Sequence, residues 1–300
     1  MRFVVTGGAG FIGSNIVKSL IQNKHDVVVI DNLHTGKKEN LDPIYENIEF
    51  HLEDIRNKEK LQKIIKNCDG IFHQAALTVV PESFEIPDEY NDVNVTGTKN
   101  IFEIAKEKDL KVVYASSSSI YGNVKKIPIS ENFPKNPINP YGKTKLDTEF
   151  LAEKFSSIGC SIIGLRYFNV YGIGQTGSYA GVITKFMNAL SEKKSPIIFG
   201  DGSQIRDFIF VKDVAKANLS VMDSDINSTF LNVGTGKTIS IKKLAEIMIH
   251  LYELDLTPIF QNPLPGDVAE SQAQISQIES LTGWKYETEL EDGLRSIINK

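Results

Sequence analysis

The sequence predicts an α/β protein built around a doubly wound parallel sheet. Short runs rich in β-branched residues are apolar throughout rather than alternating, which is typical of strands covered on both faces. Longer stretches with helical periodicity separate these runs, as the crossovers of a parallel sheet require. The predicted strands are FVVTG, VVVIDN, IEFHLED, GIFHQAA, KVVYASS and SIIGLRYFNV, and the predicted helices lie near Phe11–Asn23, Lys58–Lys66, Glu89–Glu107 and Tyr141–Ser156.

The pattern changes after about Asn169, where loops containing glycine and proline become frequent. A chain of 300 residues is also near the upper limit for one hydrophobic core. We therefore expect a first domain over residues 1–169 and a smaller domain over residues 170–300. The two are expected to interleave, because the apolar segments FIFVKDVAKANL and FLNVGTG, near residues 205–236, are candidates to return to the sheet.

Charge and composition argue against several classes of function. A net charge of −5 and a pI near 5.7 give no basic footprint for nucleic acid or an anionic membrane. No run approaches the roughly 18 apolar residues of a membrane span, and the five histidines show no metal-ligand spacing. Cys68 and Cys160 fit buried thiols in a reducing compartment. We expect a cytoplasmic protein with no metal, no nucleic acid and no membrane among its partners.

A glycine-rich turn directly follows the first predicted strand. The segment GGAGFIG, residues 7–13, has G-x-x-G-x-x-G spacing and leads into an amphipathic helix. Such a turn lets the backbone approach a pyrophosphate, whose charge then lies at the helix N-terminus. Asp31 ends the next strand, where a carboxylate bonds the adenosine ribose and repels a 2′-phosphate. These features predict a Rossmann-type domain that binds NAD rather than NADP, through Gly7, Gly10, Phe11, Ile12, Gly13, Asp31 and Asn32.

Later strand ends complete the predicted NAD site. An acid after the third strand can reach the adenine ring, and small residues after the fourth let the cofactor pass over the sheet edge. The asparagine of NVTGT has two readings: a cofactor contact, or a helix-packing notch with one buried polar bond. His73, within the fourth strand, is equally open to a packing role. The residues added to the NAD site are Asp54, Ile55, Ala75, Ala76 and Asn94.

The segment YGKTK carries the predicted chemistry. Tyr141 and Lys145 are four residues apart, so a helix places both on one face. A neighbouring lysine stabilises phenolate and lowers the pKa of a tyrosine from about 10 towards neutrality. Such a tyrosine can remove a proton from a sugar hydroxyl. Four serines, residues 116–119, end a strand at the sheet edge where doubly wound folds bind substrate, and one of them can share the transferred proton.

Eight segments carry a family resemblance: TGGAGFIG, DNLHTG, HQAA, NVTGT, SSSSIYG, YGKTK, RYFNVYG and GDGSQIRDFIFVKDV. Together they resemble the extended short-chain dehydrogenase/reductases and, within them, the UDP-glucose 4-epimerase branch. The resemblance runs from Met1 to about Arg295. It implies a tightly held NAD that is reduced and reoxidised within one turnover, while a 4-keto sugar turns over in the site. It also implies that Ser117, Tyr141 and Lys145 are catalytic.

The serine segment indicates the branch of the family. Nucleotide-sugar 4,6-dehydratases and related decarboxylases carry acids there, whereas this chain has Ser118 and Ser119. Asp31 argues against an NADP-dependent reductase of the fucose-synthase type. The resemblance therefore favours epimerisation at C4 of UDP-glucose and UDP-galactose. Two alternatives stay open: another NAD-dependent nucleotide-sugar enzyme, such as a uronate epimerase or a net oxidoreductase, and a non-enzymatic NAD-binding protein.

The resemblance also implies that the smaller domain binds the UDP-sugar substrate. Asn169 and Arg206 are expected at the diphosphate, since a guanidinium matches phosphate bidentately; an ion pair of Arg206 with Asp207 or Asp213 is the alternative. Phe168 is expected against the cofactor and joins the NAD site. The substrate residues implied are Ser117, Ser118, Asn169, Val182, Phe199, Arg206 and Ser271.

Three positions near the C-terminus bear on the substrate. Relatives usually carry a diphosphate-binding arginine in R-x-G-D, but here residues 264–267 read LPGD, with Leu264 in its place. Gln274 replaces the usual acid of A-D-x-S. Ser271 matches a position that limits room at the C2 substituent, and a small residue there is expected to admit an N-acetyl group. UDP-GlcNAc and UDP-GalNAc are therefore predicted substrates as well.

The resemblance further implies an oligomeric state. Relatives pair through two helices from each subunit, which correspond here to the helices near Glu89–Glu107 and Tyr141–Ser156. A homodimer with a four-helix interface is therefore expected.

Overall fold

The computed structural model describes residues 1–124, 126–175, 181–263 and 268–298. A seven-stranded parallel sheet forms its centre. Its strands are β1 (Arg2–Thr6), β2 (Asp26–Asp31), β3 (Ile48–Leu52), β4 (Gly70–His73), β5 (Lys111–Ser117), β6 (Ile162–Tyr167) and β11 (Ser228–Val233). They stand in the order β11-β6-β5-β4-β1-β2-β3, so the winding reverses between β1 and β4. The predicted doubly wound parallel sheet is confirmed.

Helices cover both faces of this sheet. On one face, α1 (Phe11–Gln22) and α8 (Val211–Asp223) pack against each other and bury apolar side chains against the strands. On the other face, α2 (Lys58–Ile64), α5 (Thr98–Lys108) and α6 (Pro140–Ser156) contribute to a second apolar cluster. The sheet is therefore buried on both sides, which explains why its strands are apolar runs rather than alternating ones.

One predicted helix is interrupted. The stretch expected near Glu89–Glu107 consists of α4 (Pro87–Asn91), a π-helical segment at Asp92–Gly97, and then α5. Insertions of this type are frequently found at functional sites. A short helix, α3 (Val80–Glu85), precedes α4.

A smaller unit follows the main sheet and has a core of its own. Its helices α7 (Val182–Ser191), α9 (Ile241–Leu251) and α11 (Leu290–Ile298) share one apolar cluster. Three small sheets accompany them. These pair β7 (Asn169–Tyr171) with β10 (Phe208–Phe210), β8 (Ile197–Phe199) with β13 (Ile259–Gln261), and β9 (Ile205–Arg206) with both β12 (Ile239–Ser240) and β14 (Glu270–Ser271). Helix α10 (Ser276–Thr282) lies in the chain between β14 and α11.

The two segments considered for return to the main sheet behave differently. FLNV forms most of β11, which pairs with β6 at the edge of the sheet. FIF forms β10, which pairs with β7 instead, whereas the rest of this segment lies in α8 and packs against one face of the main sheet. No helix in the described part of the chain is both long and apolar enough to cross a membrane.

Candidate active site

A cleft of about 570 Å³ opens where β1, β2, β4, β5 and β6 end. Doubly wound sheets bind ligands at this place, outside the carboxyl ends of the strands where the winding reverses. A more open depression of about 870 Å³, beside Ser220 and Asp223, contains none of the predicted site residues. The predicted residues that line the cleft are Gly7, Gly10, Phe11, Ile12, Gly13, Asp31, Asn32, Asp54, Ile55, Ala75, Ala76, Ser117, Tyr141, Lys145, Phe168 and Asn169.

The glycine-rich turn follows a tight backbone path that side chains would block. Gly7 has a φ of +66°, and a Cβ there would lie 2.6 Å from the backbone nitrogen of Ala75. A Cβ on Gly13 would overlap the carbonyl oxygen of Gly7. Helix α1 begins directly after Gly10. Because Gly10 has no side chain, no side chain caps the N-terminus of this helix. The turn therefore fits a pyrophosphate at the positive end of the helix.

Asp31 lies at the end of β2 and is almost fully buried. Its carboxylate accepts hydrogen bonds from the backbone nitrogens of Ala9 (2.9 Å) and Leu33 (2.8 Å). Burial raises the pKa of this carboxyl, and the backbone donors oppose the rise. A Cβ on Gly36 would lie 2.8 Å from Asp31 Oδ1, so the loop after β2 closes tightly over the carboxylate. A ribose diol can donate to such a carboxylate, whose negative charge repels a 2′-phosphate.

Asp54 is held by a residue that the sequence interpretation missed. Arg56 donates from Nε (2.9 Å) and Nη2 (2.8 Å) to the Asp54 carboxylate, and Asn32 Nδ2 donates at 3.0 Å. The hydrogen bonds from Arg56 are the largest cause of a pKa well below the usual range for Asp54. Arg56 Nη1 also bonds Asp92 at 3.1 Å. The carboxylate that is predicted to meet the adenine ring is thus ionised and fixed in orientation.

Asn94 is not among the residues that line the cleft, and its described contacts fit the helix-packing reading. Its amide accepts from the Leu77 nitrogen (2.8 Å) and donates to the Leu77 oxygen (2.9 Å) and to Thr144 Oγ1 (3.0 Å). These bonds use both amide hydrogens of a side chain that is 1% exposed. Asn94 therefore joins the π-helical segment to α6 and to Leu77, which does line the cleft.

His73 has the packing role that was left open. The buried ring lies between the hydroxyls of Thr6 (2.6 Å from Nδ1) and Thr98 (2.9 Å from Nε2). Burial lowers the pKa of His73 to about 3, so the imidazole is neutral at physiological pH. It ties β1 and β4 to α5 beneath the glycine-rich turn.

Helix α6 and strand β5 bring the predicted catalytic residues together. Pro140 is the first residue of the helix, and the side chain of Asn139 caps it by accepting from the Gly142 nitrogen. Tyr141 and Lys145 therefore lie in the first two turns, with Lys145 Nζ 5.9 Å from the centre of the tyrosine ring. Ser117, the last residue of β5, lines the same cleft.

Hydrogen bonds orient two members of this group. Lys145 Nζ donates to the carbonyl oxygen of Ala115 at 2.9 Å. Ser117 Oγ donates to Ser119 Oγ at 3.0 Å and accepts from the Ser119 nitrogen at 3.1 Å. Ser119 also lines the cleft, so it extends the hydroxyl pair towards any bound sugar.

Burial shifts both ionisable groups towards their neutral forms. It lowers the pKa of Lys145 to about 8. It raises the pKa of Tyr141, while the Ser117 hydroxyl acts in the opposite direction. The predicted fall in the pKa of Tyr141 is therefore wrong for the protein alone, because desolvation outweighs the effect of neighbouring groups.

The predicted substrate residues fall into two groups. Asn169 lines the cleft, whereas Ser118 begins a 3-10 turn and is not among the lining residues. Arg206 and Ser271 lie opposite each other on β9 and β14. Arg206 Nη1 donates to the carbonyl oxygens of Ile205 (2.9 Å) and Ala269 (3.4 Å). Outside the cleft lining, among the described residues, are Ser118, Val182, Phe199, Arg206 and Ser271. Leu264 and the rest of residues 264–267 lie outside the part of the chain that the structure describes.

Several polar residues of the cleft were not predicted, and two of them bond each other. Gln74 and Tyr167 line it, and Tyr167 Oη donates to Gln74 Oε1 at 3.1 Å. Asn218 Nδ2 donates to the same hydroxyl at 2.8 Å and so anchors it from α8. Both lining residues directly adjoin predicted ones in HQAA and RYFNVYG. Including the neighbour of Ala75 and the neighbour of Phe168 within these motifs would have found them.

Comparison with known proteins identifies the family. The model of the NAD dependent epimerase/dehydratase family matches residues 3–234. The chain belongs to this family. The family is NAD-dependent, and NAD is the cofactor that the glycine-rich turn and Asp31 fit.

Individual relatives match almost the whole chain. A putative UDP-glucose 4-epimerase of Methanocaldococcus jannaschii is 42% identical, over 99% of this chain and 97% of its own length. The solved UDP-N-acetylglucosamine 4-epimerase of Methanobrevibacter ruminantium, in complex with UDP-N-acetylmuramic acid, is 40% identical with a TM-score of 0.95, covering 99% of this chain and 97% of its own. The UDP-glucose 4-epimerase of Thermotoga maritima, solved with UDP-glucose, is 34% identical with a TM-score of 0.95, covering 100% and 98%.

Proposed function

We propose that this protein interconverts the C4 epimers of a UDP-hexose through a transient 4-keto sugar. The observation that carries the proposal is the position of Ser117, Tyr141 and Lys145 in the same cleft as the glycine-rich turn. A base, a cation and a hydroxyl beside a redox cofactor are the groups that reversible oxidation of a secondary alcohol needs. The relatives named as UDP-sugar 4-epimerases support the same activity.

The chain's own residues account for the proton transfers. When bound, NAD supplies a reversible two-electron acceptor and a positive ring charge that favours phenolate at Tyr141. Tyr141 then takes the proton of the 4-hydroxyl and returns it after the keto sugar has turned over. Lys145, held by the carbonyl of Ala115, keeps a positive charge beside the phenolate. Ser117 relays the proton and bonds the 4-oxygen.

The proposed substrates include N-acetylated sugars. Ser271, at the expected C2 position, is small, and a relative of 40% identity is named as a UDP-N-acetylglucosamine 4-epimerase. We therefore propose turnover of UDP-GlcNAc and UDP-GalNAc in addition to UDP-glucose and UDP-galactose. Residues 170–300 are proposed to supply most of the nucleotide-sugar site.

The experiment is a product analysis without added cofactor. Purified protein is incubated with UDP-galactose and, separately, with UDP-GalNAc, and the products are resolved by chromatography. C4 epimers should appear from both. Formation of NADH in step with product when NAD is added would indicate a net oxidoreductase instead, and no turnover of the acetylated pair would remove it from the proposed substrates.

A substitution tests the assignment of the base. Tyr141→Phe should lower turnover by about 10²–10⁴-fold, the usual contribution of a general base, while NAD stays bound. Tyr45→Phe, at an exposed tyrosine, is the matched control and should leave turnover unchanged. Near-normal turnover in Tyr141→Phe would end the assignment.

We also propose a homodimer that pairs through α5 and α6. Phe150 on α6 is 52% exposed, which is unusual for a large apolar side chain on a helix that also faces the core. Phe150→Glu should give a monomeric mass in sedimentation equilibrium, because two charges would then face each other near the dimer axis. Leu281→Glu, on α10 and similarly exposed, should leave the dimer intact. A monomeric mass for the unmodified protein would contradict the proposal.

A further inference from the structure

Asp207 is a fully buried carboxylate bonded only by uncharged donors among the contacts that the structure describes. Its Oδ1 accepts from the Thr235 nitrogen (2.8 Å) and from Thr235 Oγ1 (2.7 Å). Its Oδ2 accepts from the backbone nitrogens of Gly236 (2.9 Å) and Ala273 (3.0 Å). A buried charge requires such a set of donors, because each lost bond leaves an unsatisfied group in a low dielectric.

The same residue joins the chain segments that carry the expected diphosphate ligands. The carbonyl oxygen of Asp207 accepts from both the backbone nitrogen (3.1 Å) and Nδ2 (3.0 Å) of Asn169. Arg206 precedes it in the chain and lies opposite Ser271 in the pairing of β9 with β14. The bond to Ala273 ties down the residues that follow β14. Asp207 thus fixes Asn169, Arg206 and Ser271 relative to one another, although they lie far apart in the sequence.

We propose that Asp207 is a positioning residue for the nucleotide diphosphate, acting through Asn169, Arg206 and the strand that carries Ser271. This inference rests on the proposed function and deepens it. Asp207 touches neither the cleft nor the reacting atoms. Its loss should therefore weaken UDP binding and raise KM while the chemistry at Tyr141 continues.

The first test uses Asp207→Asn in the NAD-loaded protein. An amide of the same size keeps one acceptor but places an NH2 group against backbone N–H donors. The UDP dissociation constant, measured by calorimetry, should rise at least about tenfold, which corresponds to about 1.4 kcal/mol. KM for the UDP-sugar should rise equally, with kcat within about threefold and NAD content unchanged. A purely structural role would instead reduce the amount of folded protein and leave KM unchanged in the fraction that folds.

The matched control is Asp213→Asn. Asp213 is equally buried, and its Oδ2 accepts from the Thr288 nitrogen at 3.0 Å, but among its described bonds none reaches an expected substrate residue. It should leave UDP affinity unchanged. Should Asp207→Asn fail to fold, Thr235→Val removes one donor to the carboxylate and should raise the UDP dissociation constant by a smaller factor.

The outcomes separate the two proposals. If the unmodified protein binds UDP and the Asp207→Asn variant binds it with equal affinity, this inference alone is overturned. Unmodified protein with no affinity for UDP overturns the proposed function and this inference with it. An equal loss of affinity in Asp207→Asn and Asp213→Asn also overturns the inference, since it would reflect general loosening of the fold.

Discussion

Two fully buried carboxylates, Glu149 and Asp207, stabilise the two halves of the molecule in different ways. Glu149 on α6 accepts from Arg166 Nε (2.8 Å) and Nη2 (2.9 Å), and Lys135 Nζ lies 3.0 Å from its Oε2. Ser116 Oγ donates to it at 2.7 Å. Asp207 is bonded by three backbone nitrogens and a hydroxyl.

The difference follows from the regularity of the surrounding backbone. In the Rossmann half, helices and strands already pair their own N–H groups, so a buried acid there must find its donors on other side chains. For Glu149, two of these donor side chains, Arg166 and Lys135, carry a positive charge. In the smaller unit, short strands and loops leave N–H groups unpaired, and one carboxylate can collect several of them. Which partner a buried charge has thus depends on what the local architecture leaves unsatisfied.

The largest expected effect comes from breaking the ion pair. Glu149→Leu would leave Arg166, itself 1% exposed, without its counter-charge. The free energy of unfolding should fall by about 3–5 kcal/mol, as for other buried pairs that lose one partner. Urea unfolding measures it. Glu149→Met combined with Arg166→Met should recover most of the loss, and a single variant within about 1 kcal/mol of the parent would contradict the comparison.

Asp207→Asn should cost less stability than Glu149→Leu. No charged side chain is stranded, but the new NH2 group leaves about two backbone donors unsatisfied. The expected loss is about 2–3 kcal/mol by the same urea measurement. A loss as large as that of Glu149→Leu would show that neutral donors and counter-charges are equivalent here, which would remove the distinction between the two halves.

A third buried charge sharpens the comparison through its pH dependence. Lys145 donates to a carbonyl rather than to a carboxylate, and burial lowers its pKa to about 8. Between about pH 8 and 10 the unfolded chain, with a lysine pKa near 10.4, therefore binds more protons than the folded one. Stability should rise with pH over this window by about 2 kcal/mol.

Lys145→Met provides the control for this pH effect. The rise should be absent in the variant when urea midpoints are compared at pH 8, 9 and 10. Tyr141, whose pKa burial raises, acts in the opposite direction only above about pH 10. Parallel pH profiles for the two proteins would disprove the assignment of the window to Lys145.

The smallest expected effect separates two adjacent serines. Ser119 bonds Ser117 and lines the cleft, whereas Ser118 is outside the lining. Ser119→Ala should lower kcat by about 3–10-fold, equivalent to one hydrogen bond of about 1 kcal/mol. Ser118→Ala should change it less than about twofold. The reverse order would support the prediction of Ser118 as a substrate ligand.

Local patterns account for what the sequence could predict. The glycine-rich turn, Asp31 and the pair Tyr141 and Lys145 each depend on residues that are close in the chain, and all line the cleft. The main sheet could be predicted equally well, because apolar runs alternate with stretches of helical periodicity along the sequence. Both readings of Asn94 stayed open at the level of sequence, since a sequence does not show which way a helix face turns.

Long-range contacts account for the rest. Asp207 bonds residues at positions 169, 235, 236 and 273, and no spacing rule connects them. The pKa of Tyr141 was misjudged for a related reason. The Lys145 ammonium bonds the carbonyl of Ala115, and the depth of burial that raises the pKa of Tyr141 appears only in three dimensions.

The return of β11 to the main sheet sets an order for folding during synthesis. Six strands of that sheet are available once Tyr167 has left the ribosome, but the seventh ends at Val233, after α7 and α8. Asn232 on this strand accepts from Tyr121 Oη, which in turn accepts from Arg166 Nη1. The buried network behind α6 is therefore completed only after most of the chain has been made.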